Sequence, residues 1–323
     1  MKITIAKTLL GAGLLATAFV FTIPMSTTSV FAQEAASCKN VRFSDVGWTD
    51  ITATTAATSV ILNGLGYSPK ATVLSVPVTY ASLKNGDIDV FLGNWMPTME
   101  GDIKKYREEG SVETLTRNLT GAKYTLAVNK AAADGGVKDF ADIAKNADKF
   151  DNKIYGIEPG NDGNRLIQGM IDKNTFGLKG FTVVESSEQG MLSQVKRAKR
   201  KNEWVVFLGW EPHPMNANFN LTYLTGGDDV FGPNFGGAEV FTNVRKGYAK
   251  ECPNVGKFLK NQVFTLAMEN EIMGAILDDG QEPDKAATAW LKKNPGVLDK
   301  WLAGVTTVDG KDGLAAVKSH LGL

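Results

Sequence analysis

The sequence predicts an α/β protein made of two units, with the second unit inserted into the chain of the first. Three observations predict this fold. Short apolar runs alternate with amphipathic stretches, no low-complexity linker separates two halves, and the only two cysteines, Cys38 and Cys252, lie early and late in the chain. Short apolar strands between amphipathic helices are typical of parallel α/β sheets.

The alternation can be followed element by element from residue 41 onwards. Strands are predicted at residues 41–46, 71–78, 88–92, 123–128, 153–157, 181–184 and 204–208. Helices are predicted between them at 52–65, 80–84, 98–109, 137–150, from about 164, and 189–201. Gly66, Gly86 and Gly110 support the first three helix ends, because glycine is favoured just past a helix C-terminus. Two strand-like stretches, 221–224 and 239–244, then precede a helical C-terminal third.

The N-terminal residues indicate an export signal rather than a part of the fold. Lys2 and Lys7 begin it, residues 9–23 are an apolar run, and Val30 and Ala32 offer small side chains where a signal peptidase reads. A retained membrane anchor is the alternative, but the run is short for a bilayer, which takes about 20 residues to span. We therefore expect a signal peptide over residues 1–32. Roughly 290 residues would remain, enough for one large domain or two medium ones.

The two cysteines indicate which segments belong to which unit. In an oxidising compartment Cys38 and Cys252 most simply form one disulfide, and two free buried thiols are the alternative. A bridge places both ends of the exported chain in one unit. That unit then comprises residues 38–118 and 215–323, with 119–214 inserted as the second. Two strands would cross between the units and leave a cleft above this hinge.

The charge balance argues against a nucleic-acid partner. The chain has 35 basic and 35 acidic residues, and the expected signal peptide contains two of the lysines and no acidic residue. The exported chain would therefore have 33 basic and 35 acidic residues. Nucleic-acid binding needs a basic face, which this balance does not indicate.

Three of the six tryptophans follow predicted strands and stand close to a glycine: Trp48, Trp95 and Trp210. Ligands of open α/β sheets bind beyond the carboxyl ends of the strands. Strand-end loops are exposed, and an exposed indole there needs a partner to cover it, although a core or hinge position is the alternative for any one of them. Indole is the best cation–π surface, and aromatic cages bind quaternary ammonium groups. The three tryptophans together therefore predict a quaternary-ammonium site.

The motifs around these tryptophans resemble those of the solute-binding proteins of quaternary-amine ABC importers, and the choline-binding ones most closely. The motifs are Gly47-Trp48-Thr49-Asp50, Gly93-Asn94-Trp95-Met96-Pro97 and Gly209-Trp210-Glu211-Pro212-His213. The resemblance runs from about residue 41 to the C-terminus. It implies a type II-like periplasmic binding protein, in which two α/β lobes, joined by a two-crossing hinge, close on a ligand in the cleft between them.

The resemblance also implies which residues bind the ligand. It implies an aromatic box around the ammonium group with walls at Trp48, Trp95, Tyr124 and Trp210. It further implies polar contacts from Asp50 and Asn161 to a ligand hydroxyl. Read from the residues alone, Asp50 could instead be the N-cap of the following helix, and Asn161 could form an Asx turn.

The implied function is to capture choline in the periplasm and deliver it to an ABC permease in the inner membrane. The protein would act as a monomer without a cofactor or metal. The choline hydroxyl can donate to the carboxylate of Asp50, whereas a betaine carboxylate would be repelled, so choline is favoured over glycine betaine and proline betaine. An exported enzyme acting on a quaternary amine is less favoured, because the only histidines, His213 and His320, accompany no catalytic motif. We therefore expect a binding protein without catalytic residues.

Overall fold

The computed structural model describes residues 34–323 as a mixed α/β fold; the predicted signal peptide, residues 1–32, lies outside these described residues. The strands are β1 Asn40–Asp45, β2 Ser68–Val73, β3 Val90–Met96, β4 Val112–Val128, β5 Lys153–Tyr155, β6 Thr182–Val184, β7 Val206–Glu211, β8 Thr222–Tyr223 and β9 Gly237–Arg245. The helices are α1 Thr49–Gly64, α2 Val76–Asn85, α3 Glu100–Glu108, α4 Lys130–Asp134, α5 Phe140–Lys145, α6 Asp162–Asp172, α7 Glu188–Lys201, α8 Met215–Phe219, α9 Asp228–Phe231, α10 Pro233–Gly236, α11 Tyr248–Glu251, α12 Pro253–Asn261, α13 Leu266–Leu277, α14 Pro283–Lys293, α15 Gly296–Trp301 and α16 Gly313–Leu321.

The strands of residues 34–323 join in one sheet, in the order β2-β1-β3-β9-β4-β7-β5-β6, with β8 paired to β4. Strand β1 is parallel to β2 and β3, and β5 is parallel to β6 and β7. Strand β9 is antiparallel to β3 and β4, and β7 is antiparallel to β4. The predicted parallel pairing therefore holds in the two outer parts of the sheet, and antiparallel strands join these parts.

Strands β4 and β9 run between the two parts. Strand β4 has 17 residues and is much longer than the predicted 123–128. Its first residues pair with β9 and its last six pair with β7. The register of the β4–β9 ladder shifts at three points between Thr114 and Ala122, so the strand is irregular where it leaves one part for the other. The proposed domain boundaries, 38–118 with 215–323 and 119–214, would cut the chain within this strand and stay a prediction.

The predicted strand at 71–78 is wrong at both ends. Strand β2 begins at Ser68 and ends at Val73, and α2 begins at Val76 with Pro77 in its first turn. An edge strand that pairs only with β1 needs no continuous apolar run, which is why its polar start gave no signal. Proline is tolerated in the first turn of a helix, because the N–H groups there have no partner within the helix.

Helix α1 lies in the core of the fold. Twelve of its 16 residues are buried, and it packs against α13, α14, α16 and β2. A helix that is buried on nearly all sides is held by packing. Its first turn is therefore fixed in place by the rest of the helix. No helix among residues 34–323 has the length and apolar character needed to cross a membrane.

The predicted disulfide is confirmed. Cys38 and Cys252 are bonded, with their Cα atoms 5.5 Å apart, and the described chain has no free cysteine. The bond joins the turn before β1 to the start of α12. It therefore ties the beginning of the described chain to a segment 214 residues later.

Candidate ligand-binding site

A small cavity is lined by three indoles, a phenol, two carboxyl groups and one aliphatic side chain: Trp48, Trp95, Trp210, Tyr124, Asp50, Asp162 and Ile157. The free space inside it is about 20 Å³, little more than one water molecule needs, so the lining side chains lie close together and must move apart to admit a larger molecule. Five of the six predicted ligand-binding residues line it, and the sixth, Asn161, does not.

The four aromatic side chains are only 3–6% exposed, so the expectation of exposed indoles in strand-end loops is wrong. Trp95 lies inside β3 and Trp210 inside β7. The ring of Tyr124 lies 6.1 Å from that of Trp95 and 6.3 Å from that of Trp210, measured between centroids. Because the rings lie close together and cover one another, the site is an enclosed box rather than an open surface.

The strand β3 continues past Gly93, where the sequence indicated a strand end. Trp95 pairs with Val240 on β9, so the ladder supplies hydrogen bonds that keep the chain extended. A Cβ atom at Gly93 would lie 2.7 Å from the side chain of Ile51 on α1. The glycine beside Trp95 therefore lets α1 approach the sheet closely, and it does not mark the end of the strand.

Trp48 and Asp50 are positioned by the turn that leads from β1 into α1. Gly47 has a φ of 82°, a conformation that glycine adopts without strain. The carboxyl group of Asp45 accepts from the N–H of Gly47 at 2.7 Å and from the hydroxyl of Thr52 at 2.7 Å. These two hydrogen bonds tie the turn to the first turn of the helix.

Asp50 is not the N-cap of α1, so that alternative is wrong. The cap position is Trp48, and Asp50 lies within the first helical turn. The indole N–H of Trp95 donates to Asp50 Oδ2 at 3.2 Å, while the buried Oδ1 has no hydrogen-bond partner among the described residues. Burial and, second, the nearby charge of Glu188 raise the pKa of Asp50 to about 8. The site thus holds a carboxyl group that a bound cation would help to ionise.

Two further carboxyl groups lie near the cavity, and the sequence reasoning missed both. Asp162, in the first turn of α6, lines the cavity, and its buried Oδ2 has no partner among residues 34–323. Burial raises the pKa of Asp162 to about 6 and that of Glu158 to about 7. Both residues belong to the glycine-rich turn that contains Asn161. The presence of two acidic residues in one short turn was therefore the available signal. Ile157 was also missed, because an apolar residue after a strand carries no signal of its own.

Asn161 lies behind Tyr124. Its Oδ1 accepts from the Tyr124 hydroxyl at 2.8 Å and caps α6 by accepting from the N–H of Asn164 at 3.2 Å. Its Nδ2 donates to Glu158 and Asp162. A Cβ atom at residue 163 would lie 2.2 Å from the Tyr124 hydroxyl, so only glycine leaves room for this arrangement. Asn161 therefore orients Tyr124, and its contact with a ligand hydroxyl stays a prediction.

His213 does not line the cavity. Its Nδ1 accepts from the N–H of Met215 at 2.9 Å, and its Nε2 lies 3.2 Å from Glu188 Oε1. Among residues 34–323, no group of three or more His, Cys, Asp or Glu side chains is placed to hold a metal ion. The chemistry of the cavity lining is therefore aromatic and acidic, which suits a small organic cation.

Comparisons with known proteins agree with this chemistry. Residues 39–293 match the model of the substrate-binding domain of ABC-type glycine betaine transport systems, OpuAC. A solved structure of an ABC-transporter choline binding protein in complex with choline is 69% identical; the match covers 90% of this chain and 100% of that one, with a TM-score of 0.89. The unliganded, semi-closed structure of an ABC-transporter choline binding protein is 70% identical, over 89% of this chain and 100% of that one, with a TM-score of 0.82.

A curated relative is the glycine betaine/carnitine transport binding protein GbuC of Listeria monocytogenes. It is 29% identical over 199 residues, which are 61% of this chain and 65% of that protein. The predicted fold class, a two-lobed α/β binding protein, is confirmed by the agreement with the solved structures. This chain belongs to the OpuAC family, the substrate-binding domains of ABC-type glycine betaine transport systems.

Proposed function

We propose that this protein binds choline as the solute-binding component of an ABC importer. One observation carries the proposal: four aromatic rings and a carboxyl group with an unpaired oxygen, Asp50 Oδ1, line the same small cavity. The chain is also 69% identical to a choline binding protein whose structure contains choline.

The aromatic rings suit the trimethylammonium head. This head has no N–H group, so carbonyl and carboxylate oxygens cannot accept a hydrogen bond from it. Its positive charge is spread over methyl groups, which pack against π faces, and each desolvated contact contributes about 2 kcal/mol. We assign the walls to Trp48, Trp95, Tyr124 and Trp210.

The acidic side of the cavity, formed by Asp50 and Asp162, suits the hydroxyl tail of choline. A choline hydroxyl can donate to Asp50 Oδ1, and a hydrogen bond to an ionised acceptor is stronger than a neutral one. Ionised Asp50 and Asp162, which are buried, and Glu158, which is partly buried, would also attract a cation, and the attraction is stronger where water is excluded. The same carboxylates would repel the carboxylate of a betaine.

Glycine betaine is the second candidate, because the family is described by glycine betaine transport. A betaine carboxylate would need free N–H groups, for example at the start of α6. There the N–H of Asn164 already donates to Asn161, and the carboxyl group of Asp162 occupies the first turn. These contacts favour choline.

The cellular role follows from the family and the expected signal peptide. The mature chain would act in the periplasm as a monomer and deliver choline to a permease in the inner membrane. Its family consists of substrate-binding proteins, so choline would be returned unchanged. Recovery of intact choline after long incubation with the protein tests this point, and loss of choline would support an enzyme.

The binding test is calorimetric titration of the mature protein with three ligands. These are choline, glycine betaine and 3,3-dimethylbutan-1-ol, which has the shape of choline without its charge. We expect choline to bind at least about 100-fold more tightly than the neutral alcohol, because the rings and carboxylates both act on charge. Equal binding of the alcohol would contradict the cation site, and tighter binding of glycine betaine would contradict the choline assignment.

A further inference from the structure

Glu188 is a buried carboxyl group outside the cavity lining that contacts elements on both sides of the cavity. It is the first residue of α7 and is 1% exposed. Its Oε2 accepts from the N–H of Thr49 at 2.8 Å, and its Oε1 accepts from the Thr49 hydroxyl at 2.5 Å. The two residues are 139 positions apart in the chain, so the fold alone brings them together.

Thr49 stands between two residues of the site, Trp48 and Asp50, at the start of α1. The first N–H groups of a helix have no partner within the helix, and the helix dipole favours a negative group near them. Trp48, at the N-cap, supplies no side-chain cap. Glu188 therefore caps α1 from another segment and fixes the turn that carries both site residues.

Glu188 is also linked to the opposite wall of the box. Because His213 Nδ1 accepts from the N–H of Met215, the ring proton is on Nε2, which donates to Glu188 Oε1 at 3.2 Å. The imidazole ring packs against Trp210 with the centroids 4.9 Å apart and the planes at 76°. The carboxyl group of Glu188 thus connects the turn that carries Trp48 to His213, whose ring packs against Trp210.

We propose that Glu188 is a positioning residue that holds the binding site closed and thereby slows the release of choline. The proposal rests on the choline-binding function proposed above. The rings of the box are almost fully covered, so a ligand can leave only when the walls separate. Separation of the Trp48 turn from the Trp210 segment must break the contact of Glu188 with Thr49 or its contact with His213.

Three variants distinguish the effect of the contact with Thr49 from the effect of the charge on Glu188. Thr49→Val removes the hydroxyl donor, keeps the shape and leaves the carboxylate in place. Glu188→Gln keeps the shape and removes the charge, and Glu188→Ala removes both. The matched control is Glu203→Gln, since Glu203 follows the other end of α7 and its side chain is exposed, with Arg197 and Lys201 as its partners.

The experiment measures choline association and dissociation rates by stopped-flow tryptophan fluorescence, with thermal unfolding of the ligand-free variants alongside. We expect dissociation at least about tenfold faster in Glu188→Ala, since it leaves the buried Thr49 donors unpaired, and a smaller increase in Glu188→Gln and Thr49→Val. Association rates should change less than about twofold, because the contact forms only once the walls meet. Adding Thr49→Val to Glu188→Ala should have little further effect, because both changes remove the same contact.

The outcomes separate this proposal from the proposed function. Wild-type protein that does not bind choline would contradict the function. Wild-type binding with unchanged dissociation in Thr49→Val and the Glu188 variants would overturn the positioning role, even if these variants unfold at a lower temperature. If Glu188→Ala does not fold, Thr49→Val and Glu188→Gln decide the question, and Glu203→Gln should match the wild type in every rate.

Discussion

The aromatic side and the acidic side of the cavity are buried at very different cost. The apolar faces of the four rings gain by leaving water, and the ring of Tyr124 packs against those of Trp95 and Trp210, although the buried indole N–H of Trp48 has no hydrogen-bond partner among the described residues. The carboxyl groups lose hydration, and burial raises their pKa values to about 8 for Asp50 and about 6 for Asp162. The aromatic side is therefore stable without a ligand, whereas the acidic side is stabilised by a bound cation.

This difference divides recognition into two parts. In the proposed function, packing of the rings would select the shape and charge of the head and should depend little on pH. Ionisation of the carboxyl groups would select the tail and the net charge and should be linked to proton release. Substitutions of the rings should therefore change affinity at every pH, whereas substitutions of the carboxyl groups should also change how affinity depends on pH.

The largest expected effect comes from the aromatic side. Trp210→Leu should weaken choline binding by about 30-fold, because it keeps an apolar side chain but removes a desolvated π face worth about 2 kcal/mol. Trp210→Phe is the matched control, since it keeps a π face, and it should lose much less. Calorimetry with choline and with the neutral alcohol measures both variants. Equal loss in the two variants would mean that Trp210 acts by packing alone.

The next effect is a pH dependence from the acidic side. Below its pKa of about 8, Asp50 is protonated, and a cation prefers the ionised form, so choline binding should release protons and weaken as the pH falls. Glu158 and Asp162, with raised pKa values of about 7 and about 6, act in the same direction at lower pH. We expect affinity to fall roughly tenfold between pH 8 and pH 6.5.

Calorimetry at pH 6.5 in two buffers of different ionisation enthalpy measures the protons released. Binding of 3,3-dimethylbutan-1-ol is the control, since a neutral ligand should not favour ionisation. Proton uptake on choline binding, or affinity that does not change with pH, would show that the carboxyl groups do not sense the cation.

The smallest effect concerns the selectivity of Asp50. Asp50→Asn keeps the shape and can still accept from the Trp95 indole, but it removes the charge. The hydrogen bond to the choline hydroxyl should weaken by about 1 kcal/mol, roughly fivefold in affinity, while glycine betaine should lose less or gain. The ratio of the two affinities is measured, because it cancels general damage to the fold. A ratio that is unchanged, or that moves towards choline, would assign the preference to other residues.

Sequence patterns predicted the parts of the fold that local signals control. The alternation of strands and helices and the Gly-Trp motifs were visible within short stretches, and the disulfide could be predicted because the chain has only two cysteines. Strand β4 was predicted too short, because its first half is rich in polar residues and contains no continuous apolar run. Pairing with β9 holds this half in the sheet. Long-range pairing of this kind leaves no local pattern.

The same limit applies to the candidate site. Five predicted ligand-binding residues line the cavity, since the motifs that contain four of them are short and distinctive. The burial of Trp95 and Trp210 was not predicted from their position after apolar strands, because their coverage depends on segments far away in the chain. Glu188 could not be found either, since its partner Thr49 is 139 residues away and no local pattern joins them.

The pairing of β4 with β7 has a consequence for the size of the ligand. Tyr124 and Trp210 lie directly opposite each other in this ladder. Paired strands are held about 4.8 Å apart, and the spacing cannot widen without the loss of backbone hydrogen bonds. The spacing of the two backbones that carry these rings is therefore fixed when the protein folds. A ligand larger than choline would have to be accommodated by movement of the other walls, Trp48 and Trp95, which lie outside this ladder.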